Sequence, residues 1–283
     1  MNSPRALNGL CLSSQLNDSI RSLDGKVAVV SGAGSVAGGI SNGRAISILL
    51  AREGARLGLI DVALESAEET LTMVRKEGAV DAAAIQADVS DVDSSRQAVE
   101  QVVARFGTVD ILINNVGITG ARGTAVEVDP DEWDQAMRVN VKSMMLMSKH
   151  CIPHMIAAGG GAIVNIASIA GLRGGHPSLA YPTSKGAVVN MTRAMAHHHG
   201  PSGVRVNCVA PGLVFTPRVE ARGLSEETRT ARRMTAPLQT EGTAWDVAEA
   251  VRFLVTERSR WITGQVVTVD AGLTAGTGAV GAH

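Results

Sequence analysis

Along this chain, short runs of consecutive apolar residues alternate with longer stretches whose apolar residues recur every three or four positions. The runs are 26–31 (KVAVVS), 56–61 (RLGLID), 82–88 (AAAIQAD), 109–115 (VDILINN), 162–168 (AIVNIAS), 205–211 (RVNCVAP) and 266–270 (VVTVD). Each reads as a strand buried on both faces, because a half-exposed strand would alternate apolar with polar residues. Between them the spacing predicts helices over 44–53, 65–78, 93–106, 131–158, 181–199 and 244–255. Gly54 and Gly78 stop the first two, and Glu-to-Lys and Glu-to-Arg pairs support the second. Pro153 is expected to interrupt the Met-rich helix over 131–158. This alternation predicts an α/β fold, a doubly wound parallel sheet of about seven strands with helices on both faces. Residues 23–283 read as one domain behind a loose N-terminal extension, 1–22. The polar stretch 212–240 breaks the rhythm, and 212–235 reads as a lid over whatever the domain binds.

Composition narrows the picture. Hydrophobic residues make up 45% but aromatics only 2%, so the core must be built from Val, Ile, Leu, Ala and Met. Met137, Met144, Met145 and Met147 read as core or subunit interface. A net charge of −1 offers no broad basic surface, which argues against nucleic acid and anionic membrane as partners. No apolar run is long enough to span a bilayer. Cys11, Cys151 and Cys208 are odd in number and far apart, so neither a disulfide framework nor a cysteine zinc site follows, and a reducing cytoplasm is the simplest compartment. His197, His198 and His199 do not make a metal site, since consecutive helical residues point about 100° apart. His150 and His154 share a helix face but lack an evident third ligand, and no metal is expected.

In doubly wound folds ligands bind beyond the carboxyl ends of the strands, so those positions hold the candidate chemistry. After the first run comes SGAGSVAGGISNGRA (31–45), opening with Gly32 and closing with Gly43 just before a helix. Glycines let backbone approach a pyrophosphate, and a helix N-terminus favours the anion, although a flexible surface turn has the same composition. Asp61 closes the second strand, where a carboxylate can accept from the hydroxyls of an adenosine ribose or simply cap the next turn. Asp88 closes the third, placed to meet an adenine edge, and Asn114 in the fourth can tie neighbouring strands together. Ser168 ends the fifth. Tyr181, the only tyrosine in the chain, follows thirteen residues later and stands four before Lys185, on the same helix face.

The glycine loop at 32–43, DVS at 88–90, NNVG at 114–117 and Asn140 in VNV come in order along the chain. Ser168, YPTSK at 181–185, VNCVAPG at 206–212 and TGQVVTVD at 263–270 follow. Together they resemble the short-chain dehydrogenase/reductase family in its short, one-domain form, from about Leu23 to Leu273. The sequence departs from that pattern in four places. The glycine loop carries about five extra residues with Ser41 at a glycine position, Val116 replaces an alanine, Ser31 a threonine and Ala271 a glycine. The resemblance implies a Rossmann-like fold and a catalytic set of Asn140, Ser168, Tyr181 and Lys185. It implies cofactor contacts from Gly32, Ser35, Gly43, Asp61, Asp88, Val89, Asn115, Gly117, Tyr181, Lys185, Pro211, Gly212, Val214 and Thr216. Ser168 is then expected to hold the substrate oxygen, Lys185 to grip the nicotinamide ribose, and Asn140 to hold a water that relays the proton outward.

Tyr181 reads as the group that moves the proton. A free phenol has a pKa near 10, and a neighbouring ammonium is expected to lower it towards the working pH. His176, in the loop before Tyr181, and Leu213 are candidate substrate contacts. The leading expectation is an NAD-dependent oxidoreductase acting on a small-molecule secondary alcohol or ketone, assembled as a homotetramer. A 3-oxoacyl-thioester reductase using lid arginines 222, 229, 232 and 233 is the alternative enzyme, although a solvated helix face explains those arginines more simply. A nucleotide-binding regulator without turnover is the alternative outside enzymes, and the Ser–Tyr–Lys set speaks against it. Nucleotide epimerases share the Tyr-x-x-x-Lys signature but carry a longer C-terminal substrate domain.

Overall fold

The computed structural model describes residues 22–78 and 81–276, so the expected extension lies, Ser22 apart, outside the described residues. Seven strands form one sheet in the order β3-β2-β1-β4-β5-β6-β7, with every neighbouring pair parallel. They are β1 (Val27–Ser31), β2 (Arg56–Asp61), β3 (Ala82–Gln86), β4 (Ile111–Asn114), β5 (Gly161–Ile166), β6 (Val204–Pro211) and β7 (Val266–Val269). The helices are α1 (Asn42–Arg52), α2 (Leu64–Lys76), α3 (Val92–Phe106), α4 (Pro130–Met137), α5 (Ser143–Ala157), α6 (Ala180–His199), α7 (Pro217–Glu220), α8 (Glu226–Met234) and α9 (Ala244–Val255). The predicted doubly wound α/β fold is the one observed. None of the helices among the described residues is long and apolar enough to cross a membrane.

Successive residues of β1 serve opposite cores, as a strand covered on both faces requires. Ala28 and Val30 pack with α1 and α9, through Ile46, Leu50, Val247 and Val251. Val27 and Val29 pack with α3, α5 and α6, through Val99, Val102, Met147 and Met195. Asn114 stitches the second layer to the sheet: its amide donates to Asn165 Oδ1 (2.9 Å) and Ser148 Oγ (3.2 Å), and Asn165 donates onward to Thr192 Oγ1 (3.0 Å). The strand-tying role expected for Asn114 is the one it has.

The long helix over 131–158 is interrupted elsewhere than expected. Pro153 sits inside α5 without ending it. The break is a π-helical turn, Arg138–Lys142, between α4 and α5. Such one-turn expansions are costly and recur at functional sites. This one carries Asn140, fully buried and drawn inward by hydrogen bonds to Ile118 and Ser184. Residues 212–235 hold α7 and α8, both outside the sheet layers.

Candidate active site

The first turn of α6 presents Tyr181, and the next turn presents Lys185. Ser168 follows the end of β5 and caps a short turn by accepting from the Ala170 N–H (3.1 Å). Gly171 brings that turn against α6, where a Cβ would overlap the Lys185 carbonyl carbon, so no larger residue permits the approach. The Ser168 hydroxyl favours the ionised form of the Tyr181 phenol. Lys185 is 4% exposed, and its Nζ donates to the Ile166 carbonyl (3.0 Å) and lies 5.8 Å from the Tyr181 ring centre. Asn140 completes the corner: its Oδ1 accepts from Ile118 N–H (2.7 Å), and its Nδ2 donates to Ile118 O (2.9 Å) and Ser184 Oγ (3.0 Å). The four residues expected to act together are therefore gathered at the ends of β4 and β5 and the start of α6.

The electrostatics differ from the expectation in one respect. Burial pushes the Tyr181 phenol above its usual pKa, while the Ser168 hydroxyl and the charges of Arg218 and Arg222 oppose it. The Lys185 head donates to the Ile166 carbonyl and stands 5.8 Å from the ring centre. Burial also lowers the Lys185 ammonium to about 8, with Arg218 adding to the effect. His176 stacks on Tyr181, ring centres 5.0 Å apart, and its Nδ1 engages the Ser178 hydroxyl (3.1 Å). Leu213 is exposed just after β6.

The glycine loop after β1 packs tightly against the start of α1. Gly32 adopts a positive φ of 66°, and Gly43 touches it so closely that any Cβ on Gly43 would overlap the Gly32 carbonyl. Asn115 Nδ2 holds the same carbonyl (2.8 Å). The inserted residues fold back on themselves. Ser35 Oγ donates to Gly38 O, and Ser41 Oγ donates to Gly34 O (2.7 Å) while capping α1 through Arg44 N–H (3.2 Å). Ser41 thus substitutes for a glycine by closing the turn with its side chain. Asn42 opens α1 with its Oδ1 buried and without a hydrogen-bond partner. An orphaned acceptor at a helix head, beside glycines that admit backbone approach, fits a bound nucleotide offering hydroxyl or amide donors.

Asp61 Oδ2 accepts from Gly34 N–H (2.8 Å) and Oδ1 from Ala63 N–H (3.1 Å), leaving lone pairs on both oxygens. Burial raises the Asp88 carboxyl, but hydrogen bonds from Ser90 and, after them, the charge of Arg138 3.6 Å away hold it below the usual carboxylate pKa. The Val89 side chain is buried with the α3 core, so only its backbone faces outward. Pro211 ends β6, Gly212 donates to Val269 O (2.9 Å), Val214 is buried, and Thr216 starts α7. A Cβ on Gly117 would lie 3.1 Å from Lys185 Nζ. Sequence reasoning passed over Gly34, Asn42, Ser66, Ser184 and Arg218. Ser66 Oγ accepts from Ser35 N–H (2.7 Å), and Arg218 donates to Gly117 O (2.7 Å). The two-residue distance of Arg218 from Thr216 was the available signal for it.

Known proteins resemble this chain over most of its length. The family described as enoyl-(acyl carrier protein) reductase matches residues 36–274. The 2-(R)-hydroxypropyl-CoM dehydrogenase of Xanthobacter autotrophicus is 36% identical over 252 residues, 88% of this chain and 99% of that protein. The crystal structure of a short-chain dehydrogenase/reductase from Burkholderia xenovorans superposes with a TM-score of 0.86 at 38% identity, covering 92% of this chain and all of the other. A 7α-hydroxysteroid dehydrogenase complexed with NADH and a 7-oxo bile acid gives a TM-score of 0.82 at 28% identity, over 89% of this chain and 95% of that one. Likeness of this extent, over 88–92% of this chain and nearly all of each of the others, makes this protein a member of the short-chain dehydrogenase/reductase family.

Proposed function

We propose that this protein interconverts a secondary alcohol and its ketone with NAD as cofactor and Tyr181 as the proton-moving group. The placement of Tyr181 carries the reading: a partly buried phenol whose ionised form the Ser168 hydroxyl favours, with the Lys185 head 5.8 Å from its ring centre. The nicotinamide, when bound, accepts or supplies the hydride. Ser168 then holds the substrate oxygen, and Tyr181 takes the hydroxyl proton during oxidation and returns it during reduction. Lys185 spends one N–H on Ile166 O and keeps two for a ribose hydroxyl. Asn140 has spent both side-chain donors, so a relayed water falls to the main chain of its π turn. Residues 212–235 serve as the cover, since α7 reaches the corner through Arg218.

A panel of secondary alcohols followed by NADH absorbance at alkaline pH is expected to give turnover with at least one member. Binding of NADH without turnover of any alcohol, or of any ketone in reverse, would overturn the enzymatic reading in favour of a nucleotide-binding regulator.

The same reading includes a homotetramer. Met145 and Ile156 on α5, Phe253 on α9 and Trp261 before β7 are exposed apolar side chains of a kind that subunit contacts cover. Sedimentation is expected to give a species about four times the 29.3 kDa chain, and a monomer at micromolar concentration would refute it.

A further inference from the structure

We propose that His176 is a positioning residue: its imidazole, clasped by Ser178, packs on the Tyr181 ring and holds the phenol where it moves the proton. The inference rests on the reading of Tyr181 as the proton-moving group and adds the part that keeps it in place.

Tyr181 stands in the first turn of α6, and no side chain caps that turn. The segment before it is open to solvent: Leu172, Arg173, Gly174 and Gly175 are exposed, and Gly175 takes a positive φ of 96°. His176 ends that openness. Its Nδ1 accepts from the Ser178 N–H (3.2 Å), which has no other acceptor among the described residues, and the Ser178 hydroxyl lies 3.1 Å from the same nitrogen. A backbone N–H can only donate, so Nδ1 keeps its lone pair and the ring proton sits on Nε2. Ser178 is buried, and the next N–H, of Leu179, is tied to the Gly123 carbonyl (3.0 Å). The clasp therefore joins a half-buried ring to a fixed stretch of backbone.

The ring so held lies on Tyr181. The two ring centres are 5.0 Å apart and the planes tilt by 34°, within the range in which aromatic rings attract. His176 is the one ring that meets Tyr181 among the described residues. Lys185 Nζ, 5.8 Å from the same ring centre, is held by the Ile166 carbonyl (3.0 Å). Two anchored groups thus border the phenol, one tied to the loop and one to β5. Catalysis is sensitive to such placement, since a shift of about 1 Å can cost about 10²-fold. The packing also bears on acidity: burial is the largest influence on the phenol and raises its pKa, and a ring laid on it keeps water from that side. The rival role for His176 is donation of the Nε2–H to the substrate. The contact between the rings forms within the chain alone, which favours positioning.

The test compares His176→Ala, His176→Phe and His176→Gln. Alanine removes ring and clasp, phenylalanine keeps a ring, and glutamine keeps a donor near the Nε2 position without a ring. Ultraviolet titration reads the tyrosinate of each without any turnover, since the chain has one tyrosine. In His176→Ala the midpoint is expected to fall by about half a pH unit or more, as water reaches the phenol. On the alkaline plateau kcat for an alcohol should fall about 10-fold, with KM and NADH affinity within about twofold of the parent. The rise of kcat/KM with pH should move down by the same shift as the midpoint. His176→Phe should restore most of both effects and His176→Gln neither, a contrast that decides the matter even if His176→Ala does not fold. An unchanged midpoint and kcat in His176→Ala would overturn the proposal. So would a rise in KM alone, or a loss rescued by glutamine and not by phenylalanine, which would make His176 a substrate donor. Those outcomes in a protein that oxidises alcohols sink this proposal alone. A shifted midpoint in a protein that turns over no alcohol would uphold the packing and sink the parent reading.

Discussion

Tyr181→Phe is expected to lower turnover by about 10²-fold or more while NADH binding survives. The substitution removes the phenol hydroxyl and keeps the ring that packs against His176. Oxidation needs the phenolate, so kcat/KM for an alcohol should rise with pH and that for a ketone should fall. Burial sets the phenol above its ordinary pKa, and Ser168, Arg218 and Arg222 pull it back. Because the chain has one tyrosine, ultraviolet titration of tyrosinate reports this group alone. Activity of the variant within a few-fold of the parent would remove Tyr181 from the chemistry.

The second large effect concerns the choice of cofactor. NAD is expected to be preferred over NADP by about 10²-fold. The adenosine ribose of a bound dinucleotide is expected near Asp61, whose oxygens keep lone pairs beyond those given to Gly34 and Ala63. A 2′-phosphate would meet that carboxylate, and like charges about 4 Å apart repel by about 4 kcal/mol at an effective dielectric near 20. Salt and side-chain movement reduce the full value to the stated preference. Arg44 is the nearby cation that could reverse the sign, and it is committed elsewhere. It is buried, donating to Gly39 O (2.9 Å) and Thr70 Oγ1 (3.2 Å) and pairing with Glu69. The measurement is kcat/KM for both cofactors in the parent, Asp61→Asn and Asp61→Ala. Equal use of NADP by the parent refutes the assignment, and so does a ratio that moves in neither variant.

The sheet was legible because buried parallel strands leave unbroken apolar runs, and the Tyr181–Lys185 pair because four-residue spacing fixes a shared helix face. Asp61 and Ser168 were legible because the fold places ligands at strand ends. Other features depend on contacts between distant segments. The π turn at Asn140 leaves the helical period intact on either side, so only the pull of Ile118 and Ser184 reveals it. The pKa of Tyr181 depends on how deeply the folded chain buries it and on how near Ser168, Arg218 and Arg222 come. Arg218 reads as one more solvated cation in a polar stretch until its reach to Gly117 is seen.

The all-parallel strand pairing also governs how the chain acquires this structure. No two neighbours in the sheet are joined by a hairpin, and Ser31 pairs with Asn114 only after two strands and three helices have intervened. Each pairing must close a long loop before it yields any contact, which makes such sheets slow to form. Until β7 emerges from the ribosome, β6 has an open edge beside the segment 212–235. An unpaired apolar edge is a template for pairing with other chains. The closing residues of the domain cover the buried apolar edge of β6 and leave the shorter, partly exposed β7 as the edge of the finished sheet.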